Sequence, residues 1–329
     1  MNHSIQSLHE DSLSRRDVLR GIGATIALAA VPGGLKAKSV SSGKDSLPMQ
    51  FYKSLTETQR AAVCLPIDSP KRDFVSNWWY VHSQQKLHEF YTDDQRELVQ
   101  QIFDSFHHEK HQEKMRKQVQ KDLMGKVKNT PSVGFFGTPK DDDFEFIYTG
   151  HHVTRRCNAH TDKGLGFDGR PIFYGNFAKG FHEGKDHVGN PFWYQGLIFN
   201  EFLQTLSGKQ RETILVGRQP RSEKPAEVIK KRKTDLPGLH CADLSKDQQV
   251  KLLKSMRRML VFLRPDDVSA TIKAIRKNRL MDKLWISCYG GKFDIGDDGV
   301  FDTWQIEGPD MVWYFRGFPH IHSYFHVAV

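Results

Sequence analysis

The chain has 329 residues, of which 38% are hydrophobic and 26% are charged, with 26 glycines and 14 prolines. This is enough apolar material for one or two packed domains, so the composition excludes a disordered, collagen-like or low-complexity chain. The net charge of +9 at pH 7 is moderate, and the unusual count is 16 histidines against four cysteines.

The first 37 residues have the layout of an export signal. Arg15 and Arg16 precede an apolar stretch over residues 21–31, which is shorter than the about 20 residues that a membrane-spanning helix needs. Paired arginines before a weakly apolar stretch are typical of twin-arginine signals. We therefore expect the twin-arginine export machinery as a partner, cleavage near Ala37 and a periplasmic or secreted mature protein without a stable membrane span. A buried amphipathic N-terminal helix is the alternative.

A flexible linker is predicted over residues 38–50, because serine, lysine and glycine dominate there. Residues 51–329 are then predicted to form a single α+β domain.

Four helix starts are predicted by one local pattern, in which an apolar residue precedes serine or threonine and glutamine follows three residues later. In this capping box, the hydroxyl and the glutamine side chain satisfy backbone N–H groups at the helix start. The four capping residues are Thr56, Thr92, Ser207 and Ser245. Apolar spacing predicts helices over residues 92–126, 193–206, 245–263 and 266–279. No other internal repeat is visible.

Predicted strands fall into two zones with helices grouped between them, which indicates an α+β fold rather than alternating βαβ units. The first zone covers residues 134–157 and 172–174. The second covers residues 284–289, 300–307, 311–315 and 321–327, and its turn residues predict a C-terminal antiparallel meander.

Several common motifs are absent or out of context. Residues 164–169 match G-x-G-x-x-G, but a strand rather than a helix is predicted to follow, so no nucleotide cofactor is expected. Lysines and arginines cluster over residues 224–233 without interleaved aromatic residues, which favours a solvated loop and no nucleic acid partner. The cysteines stand singly, so they predict either disulfides or buried thiols.

The histidines near the C-terminus carry the strongest chemical signal. Because side chains alternate along a strand, His320, His322, Tyr324 and His326 are predicted to share one face, opposite an apolar core face. Two imidazoles on one face can bind a metal ion or orient a polar substrate. A pair of exposed strand histidines is the alternative.

Two further histidine groups are candidate metal ligands. His151 and His152 follow Gly150 at a strand end, and His182 and His187 lie in a polar loop whose spacing excludes a zincin helix. Exposed loop polarity is the alternative for the loop pair. Another group is predicted to face solvent from a helix, and its members are His107, His108 and His111.

Several short motifs occur in a characteristic order, namely Tyr52-x-Ser54-Leu55-Thr56-x-x-Gln59-Arg60, Phe136-Gly137-Thr138-Pro139, Gly150-His151-His152, Leu244-Ser245, Ile306-x-Gly308-Pro309 and Pro319-His320-Ile321-His322-Ser323. With these motifs, the chain from about Phe51 to His326 resembles the exported bacterial family catalogued as domain of unknown function 3500. The resemblance implies no established activity. It does direct attention to the Gly-His-His and His-x-His elements.

Three functional hypotheses remain open. The first is an exported metal-dependent hydrolase or oxidoreductase, with a zinc or copper ion held by the candidate histidines and a small-molecule substrate whose anionic group is bound by Arg155 or Arg156. The second is a non-catalytic periplasmic binding or scaffold protein. The third is a polyanion-binding protein that uses residues 224–233.

Overall fold

The computed structural model describes residues 45–163, 170–178, 184, 187, 189–217, 236–277, 279–289 and 301–327. These residues form one compact unit. The predicted signal peptide, the glycine loop at 164–169 and the basic run at 224–233 lie outside the described residues. Among the helices that are described, none is long and apolar enough to cross a membrane.

The first half of the domain contains a helical segment followed by four consecutive strands. In chain order its elements are α1 (Leu47–Ser54), α2 (Glu57–Val63), β1 (Cys64–Leu65), α3 (Leu87–Phe90), α4 (Asp93–Ser105), α5 (Glu109–Asp122), β2 (Ser132–Phe136), β3 (Glu145–Gly150), β4 (Val153–Asn158) and β5 (Ile172–Gly175).

The second half has a similar order of helices and strands, but with a short strand in place of the short helix α3. Its elements are α6 (Tyr194–Leu203), α7 (Gly208–Ile214), β6 (Leu215–Val216), β7 (Leu239–His240), α8 (Lys246–Met259), α9 (Pro265–Lys277), β8 (Trp285–Tyr289), β9 (Thr303–Gly308), β10 (Met311–Arg316) and β11 (His322–Val327).

All the described strands belong to one mixed sheet with the order β1-β2-β3-β4-β5-β11-β10-β9-β8-β6, and β7 pairs with β8. The predicted α+β class and the C-terminal meander are confirmed. The two predicted strand zones meet where β5 and β11 pair antiparallel, so they form a single sheet.

The sheet order is palindromic, and the registers of the two halves match. β1 pairs in parallel with β2 as β6 does with β8, and the two-residue turns of the β3–β4 and β9–β10 hairpins coincide. Gly150 pairs with Val153 across the first turn, and Gly308 pairs with Met311 across the second. The repeat is therefore visible in the topology, although the sequence shows none beyond the caps. A repeated topology needs only matching turn lengths and helix starts, so the side chains of the two halves were free to differ.

The four predicted capping boxes are confirmed, and they form one pair in each half. Within the first pair, the side chains of Gln59 and Gln95 donate hydrogen bonds to each other at 3.0 and 2.9 Å. Gln210 and Gln248 do the same in the second half, at 3.1 and 2.9 Å. Each capping glutamine thus satisfies a backbone N–H group at its own helix start and also links the two helix starts of its half.

Two helix boundaries differ from the sequence expectation. Ser46 accepts a hydrogen bond from the Met49 N–H and caps α1, so the final part of the predicted linker is helical. The long helix predicted from Thr92 ends at Ser105, and α5 starts after His108. His107, in this break, is buried with its Nδ1 2.8 Å from the Phe103 carbonyl oxygen, so its predicted solvent exposure was wrong.

Both faces of the sheet are buried. Trp313 and Phe325 share one core cluster with apolar residues of the helices, whereas Tyr314 and Tyr324 lie in a separate cluster on the opposite face. The face of β11 that carries His322 is therefore an interior face, and single-face patterning could not reveal this. All four cysteines are free thiols, which excludes disulfides between them.

Candidate metal centre

Four histidines meet at one end of the sheet, at the seam between the two halves. His151 and His152 form the complete turn between β3 and β4. His322 begins β11, where it pairs with Gly175 at the end of β5, and His320 lies two residues earlier. Because β4 and β11 both pair with β5, the sheet brings the turn next to the start of β11.

Three of these side chains direct the same atom to one point. His322 Nε2 lies 3.1 Å from His152 Nε2 and 2.9 Å from His320 Nε2. A tetrahedral ion with metal–nitrogen bonds of about 2.0–2.1 Å separates its ligand nitrogens by roughly 3.3 Å. All three histidines are buried, and they form a possible ligand set for one metal ion.

Burial keeps the imidazoles of His152 and His322 neutral. Burial lowers the pKa of His152 and His322 well below the usual range, and the charge of Arg316 lowers both further. Each neutral Nε2 carries either one proton or one lone pair, so His322 Nε2 cannot make a well-directed hydrogen bond to both neighbours. A metal ion would use all three lone pairs, which is the form in which histidine binds metals.

Asp122, the last residue of α5, supports both residues of the histidine turn. Its Oδ1 lies 3.3 Å from His152 Nδ1, and its main-chain carbonyl oxygen lies 3.1 Å from His151 Nδ1. Gln118 donates to its other carboxylate oxygen, and burial raises the pKa of Asp122 to about 7. A carboxylate behind a histidine favours the proton on Nδ1 and leaves the Nε2 lone pair for a metal. Asp122, His151 and His152 also lie close enough together to form a second possible ligand set.

The backbone of the turn holds His152 in an uncommon conformation. Its φ of 54° lies in the left-handed region, which non-glycine residues adopt only when their surroundings enforce it. The His152 N–H donates to the Asn77 carbonyl oxygen at 2.8 Å, and the Gly175 N–H donates to the His152 carbonyl oxygen at 3.2 Å. A Cβ atom at Gly175 would lie 2.4 Å from the Ile321 carbonyl oxygen, so only glycine permits this close approach of the strands.

A stack of three rings connects the site with the surface. Trp78, whose residue surface is 48% exposed, stacks on His151 at a centroid distance of 4.3 Å, and His151 stacks on His152 at 3.8 Å. The indole N–H of Trp78 donates to the Tyr80 hydroxyl at 3.1 Å. Burial lowers the pKa of His151 to about 4. Because a carbonyl oxygen can only accept, His151 Nδ1 carries the proton and its Nε2 carries a lone pair.

Of the two loop histidines predicted as ligands, only His187 is among the described residues, and it is not part of this cluster. The ring of His187 stacks on Trp193 at a centroid distance of 3.2 Å, and neither possible ligand set among the described residues contains His187. His182 lies outside the described residues.

Arg155 and Arg156, which were predicted to bind substrate, are both buried and hold protein groups. Arg155 donates to His107 Nε2 at 3.2 Å and to the Phe173 carbonyl oxygen at 2.7 Å. Arg156 donates to Glu145 Oε1 at 2.7 Å, and its remaining hydrogen bonds go to main-chain carbonyl oxygens. None of these contacts includes a histidine of the candidate metal centre.

Sequence reasoning missed three residues around the centre, namely Asp122, Trp78 and Arg316. Asp122 ends a strongly polar helix and resembles its solvated neighbours in sequence. Arg316 is placed beside His322 only by the β10–β11 register. The Gly-His-His and His-x-His elements were the local signals, and both lie in the cluster.

Comparison with known proteins establishes the family but no activity. A family described as "Protein of unknown function (DUF3500)" matches residues 45–327, and the chain therefore belongs to it. None of the curated proteins matches the chain, and neither does any solved structure.

Proposed function

We propose that this member of the DUF3500 family is an exported metal-dependent enzyme that binds one zinc or copper ion through His152, His320 and His322. The observation that carries the proposal is the convergence of three buried Nε2 atoms, with separations of 2.9 and 3.1 Å about the central His322. Neutral imidazole is a good ligand for both ions.

The number of ligands favours catalysis over a purely structural role. Structural zinc sites are usually closed by four protein ligands, whereas catalytic sites use three and leave a position for water or substrate. An ion bound here would lower the pKa of a bound water or activate an oxidant.

The surrounding residues have roles that follow from their contacts. The Asp122 carboxyl group lies 3.3 Å from His152 Nδ1 and would orient that ring when a metal ion binds, and the main-chain carbonyl of the same residue fixes the tautomer of His151. The Nε2 lone pair of His151 is then available to accept a proton from a bound substrate or water. Trp78 covers the outer face of His151 and restricts the approach from solvent.

Export through the twin-arginine route is part of the proposal and rests on the sequence around Arg15 and Arg16. A periplasmic or secreted location follows from that signal, and the substrate is a small molecule.

Metal analysis of the protein exported by its own signal tests the proposal. We expect one equivalent of zinc or copper in the wild type and loss of metal in His152→Ala, His320→Ala and His322→Ala. Asp310→Ala at the equivalent turn of the second half and His160→Ala on the surface are matched controls that should keep the metal. A wild-type protein that contains no metal and takes none up would contradict the proposal and favour a non-catalytic binding protein.

A further inference from the structure

A basic groove lies between α8 and α9. Its cavity of about 470 Å³ is lined by Arg257 of α8 and by one face of α9. The lining residues of α9 recur at helical spacing and are Ser269, Ile272, Lys273, Arg276 and Lys277. With a rise of about 1.5 Å per residue, this face extends for about 12 Å. The four cationic side chains of the basic groove are all exposed.

An apolar recess continues the basic groove toward the start of α9. Its cavity of about 180 Å³ shares Arg257 and Ser269 with the groove, and it is otherwise lined by Val261, Leu263, Pro265, Val268 and His108. Because an apolar cavity of about 150 Å³ is large enough for benzene, the recess has room for one apolar side chain. Val261 is 41% exposed and is therefore accessible to a partner. Arg257 Nη2 donates to Ser269 Oγ at 3.0 Å, which fixes the guanidinium group where the two cavities meet.

The cations of the basic groove differ from neighbouring arginines in having no carboxylate partner. Arg258 forms an ion pair with Glu201. Arg264 forms one with Asp267. Within the part of the chain that the structure describes, no carboxylate lines the groove or the recess, and the four cations of the groove form no ion pair. Their charge is therefore available to an external anion.

Stabilisation of the helix accounts for only part of this cluster. Arg276 and Lys277 lie in the last turn of α9, where cations interact favourably with the helix dipole. Lys273 lies four residues before Lys277, and like charges at this spacing repel each other. Arg257 belongs to the other helix. A ligand with several negative charges would remove the repulsion among the four cations.

We propose that the basic groove and the apolar recess bind an extended acidic segment of a partner protein, with carboxylates beside the cations and one apolar side chain in the recess. The length fits, because an extended chain rises about 3.3 Å per residue and about four residues therefore span the groove. Arginine forks also match carboxylates. The groove contains no residue of the candidate metal centre, so its occupant is independent of the proposed function.

The lining favours a protein over other polyanions. Single-stranded nucleic acids usually stack their bases on aromatic side chains, and no phenylalanine, tyrosine or tryptophan lines either cavity among the described residues. Proteins that bind membrane surfaces insert projecting apolar side chains into the lipid, whereas the apolar side chains here line a recess.

Fluorescence anisotropy with the labelled peptide Gly-Glu-Glu-Leu-Glu-Glu-Gly and the full chain tests this inference. We expect saturable binding that weakens at high salt, because exposed charges are screened. In the double variant Lys273→Gln with Arg276→Gln, the peptide Kd should rise about tenfold, because two ion pairs with the peptide are lost. The double variant Lys128→Gln with Lys209→Gln removes two exposed lysines elsewhere, and this matched control should bind the peptide as the wild type does.

A second peptide, with serine in place of leucine, tests the apolar recess. Its Kd for the wild type should be about tenfold higher than that of the leucine peptide, because the burial of an apolar side chain is lost. Val261→Ser should weaken binding of the leucine peptide and leave the Kd of the serine peptide unchanged.

The outcomes decide each part of the inference. A wild type that does not bind the leucine peptide would overturn it, and so would an unchanged Kd in the groove double variant. Equal Kd values for the two peptides would overturn the role of the apolar recess. Single-stranded DNA or phosphatidylglycerol vesicles that bind more tightly than the peptide would overturn the choice of a protein partner. Lys273→Arg with Arg276→Lys keeps both charges and should retain binding, which separates loss of charge from loss of fold.

Discussion

The two halves of the molecule have the same topology, yet only the first places histidines in its hairpin turn. His151 and His152 occupy that turn, and Pro309 and Asp310 occupy the equivalent turn of the second half. Both turns have the same length and the same flanking glycine. The second half contributes instead the strand that carries His320 and His322. The strands that the two halves share form the sheet, whereas the histidines, which differ between the halves, lie together where β5 and β11 pair.

A second difference concerns buried charge. Glu145 and Arg156 form a fully buried ion pair in the first half, and Arg72 contacts the same carboxylate at 3.0 Å. The matching registers place Thr303 and Tyr314 at the equivalent positions of the second half. Around Glu145, guanidinium donors meet carboxylate acceptors. In the histidine centre, like atoms face one another, an arrangement that could hold a metal ion.

The largest expected effect comes from breaking the ion pair. Arg156→Met should lower the free energy of unfolding by about 3–5 kcal/mol, because it removes one partner of a buried pair. Urea denaturation measures this change. The double variant Glu145→Thr with Arg156→Tyr copies the second half and should recover part of the loss. If the single variant lowers the free energy of unfolding by less than about 1 kcal/mol, the ion pair does not contribute to the stability of the first half.

Metal binding should distinguish the two hairpin turns. Zinc at 100 times its Kd should raise the free energy of unfolding of the wild type by about 2.7 kcal/mol. His152→Ala should abolish this gain, whereas Asp310→Ala at the equivalent turn should retain it. Thermal denaturation with and without zinc measures both. If both variants keep the zinc-dependent gain, or both lose it, the two hairpin turns do not differ in metal binding.

The orienting carboxylate should have a smaller effect than a ligand. Asp122→Asn keeps the shape and the main-chain carbonyl, but weakens the hold on His152 Nδ1, so zinc affinity should fall about 10–100-fold. Asp104→Asn, which alters a carboxylate of α4 paired with Arg116, is the matched control and should leave the affinity unchanged. Competition with a chelator of known affinity measures both. Unchanged affinity in Asp122→Asn would show that the carboxylate does not orient the ligand.

Sequence predicted those parts of the structure that depend on local chemistry. The capping boxes and the strand zones follow from neighbouring residues, and the structure contains both. The β5–β11 junction brings His152 to His322 across 170 residues, and no local pattern encodes such a pairing. The contact between Arg155 and His107 was not predicted for a similar reason. His107 lies in a helix break that periodicity alone did not reveal.

The smallest effects test what the halves share. Thr92→Ala and Ser245→Ala each remove the side-chain acceptor of an equivalent capping box, at α4 and α8 respectively. Each should lower the free energy of unfolding by about 1 kcal/mol, because one backbone N–H at the helix start loses its partner. Urea denaturation of the metal-free protein measures the two losses without a contribution from the site. Losses that differ by more than about 1 kcal/mol would mean that the equivalent capping boxes do not stabilise the two halves equally.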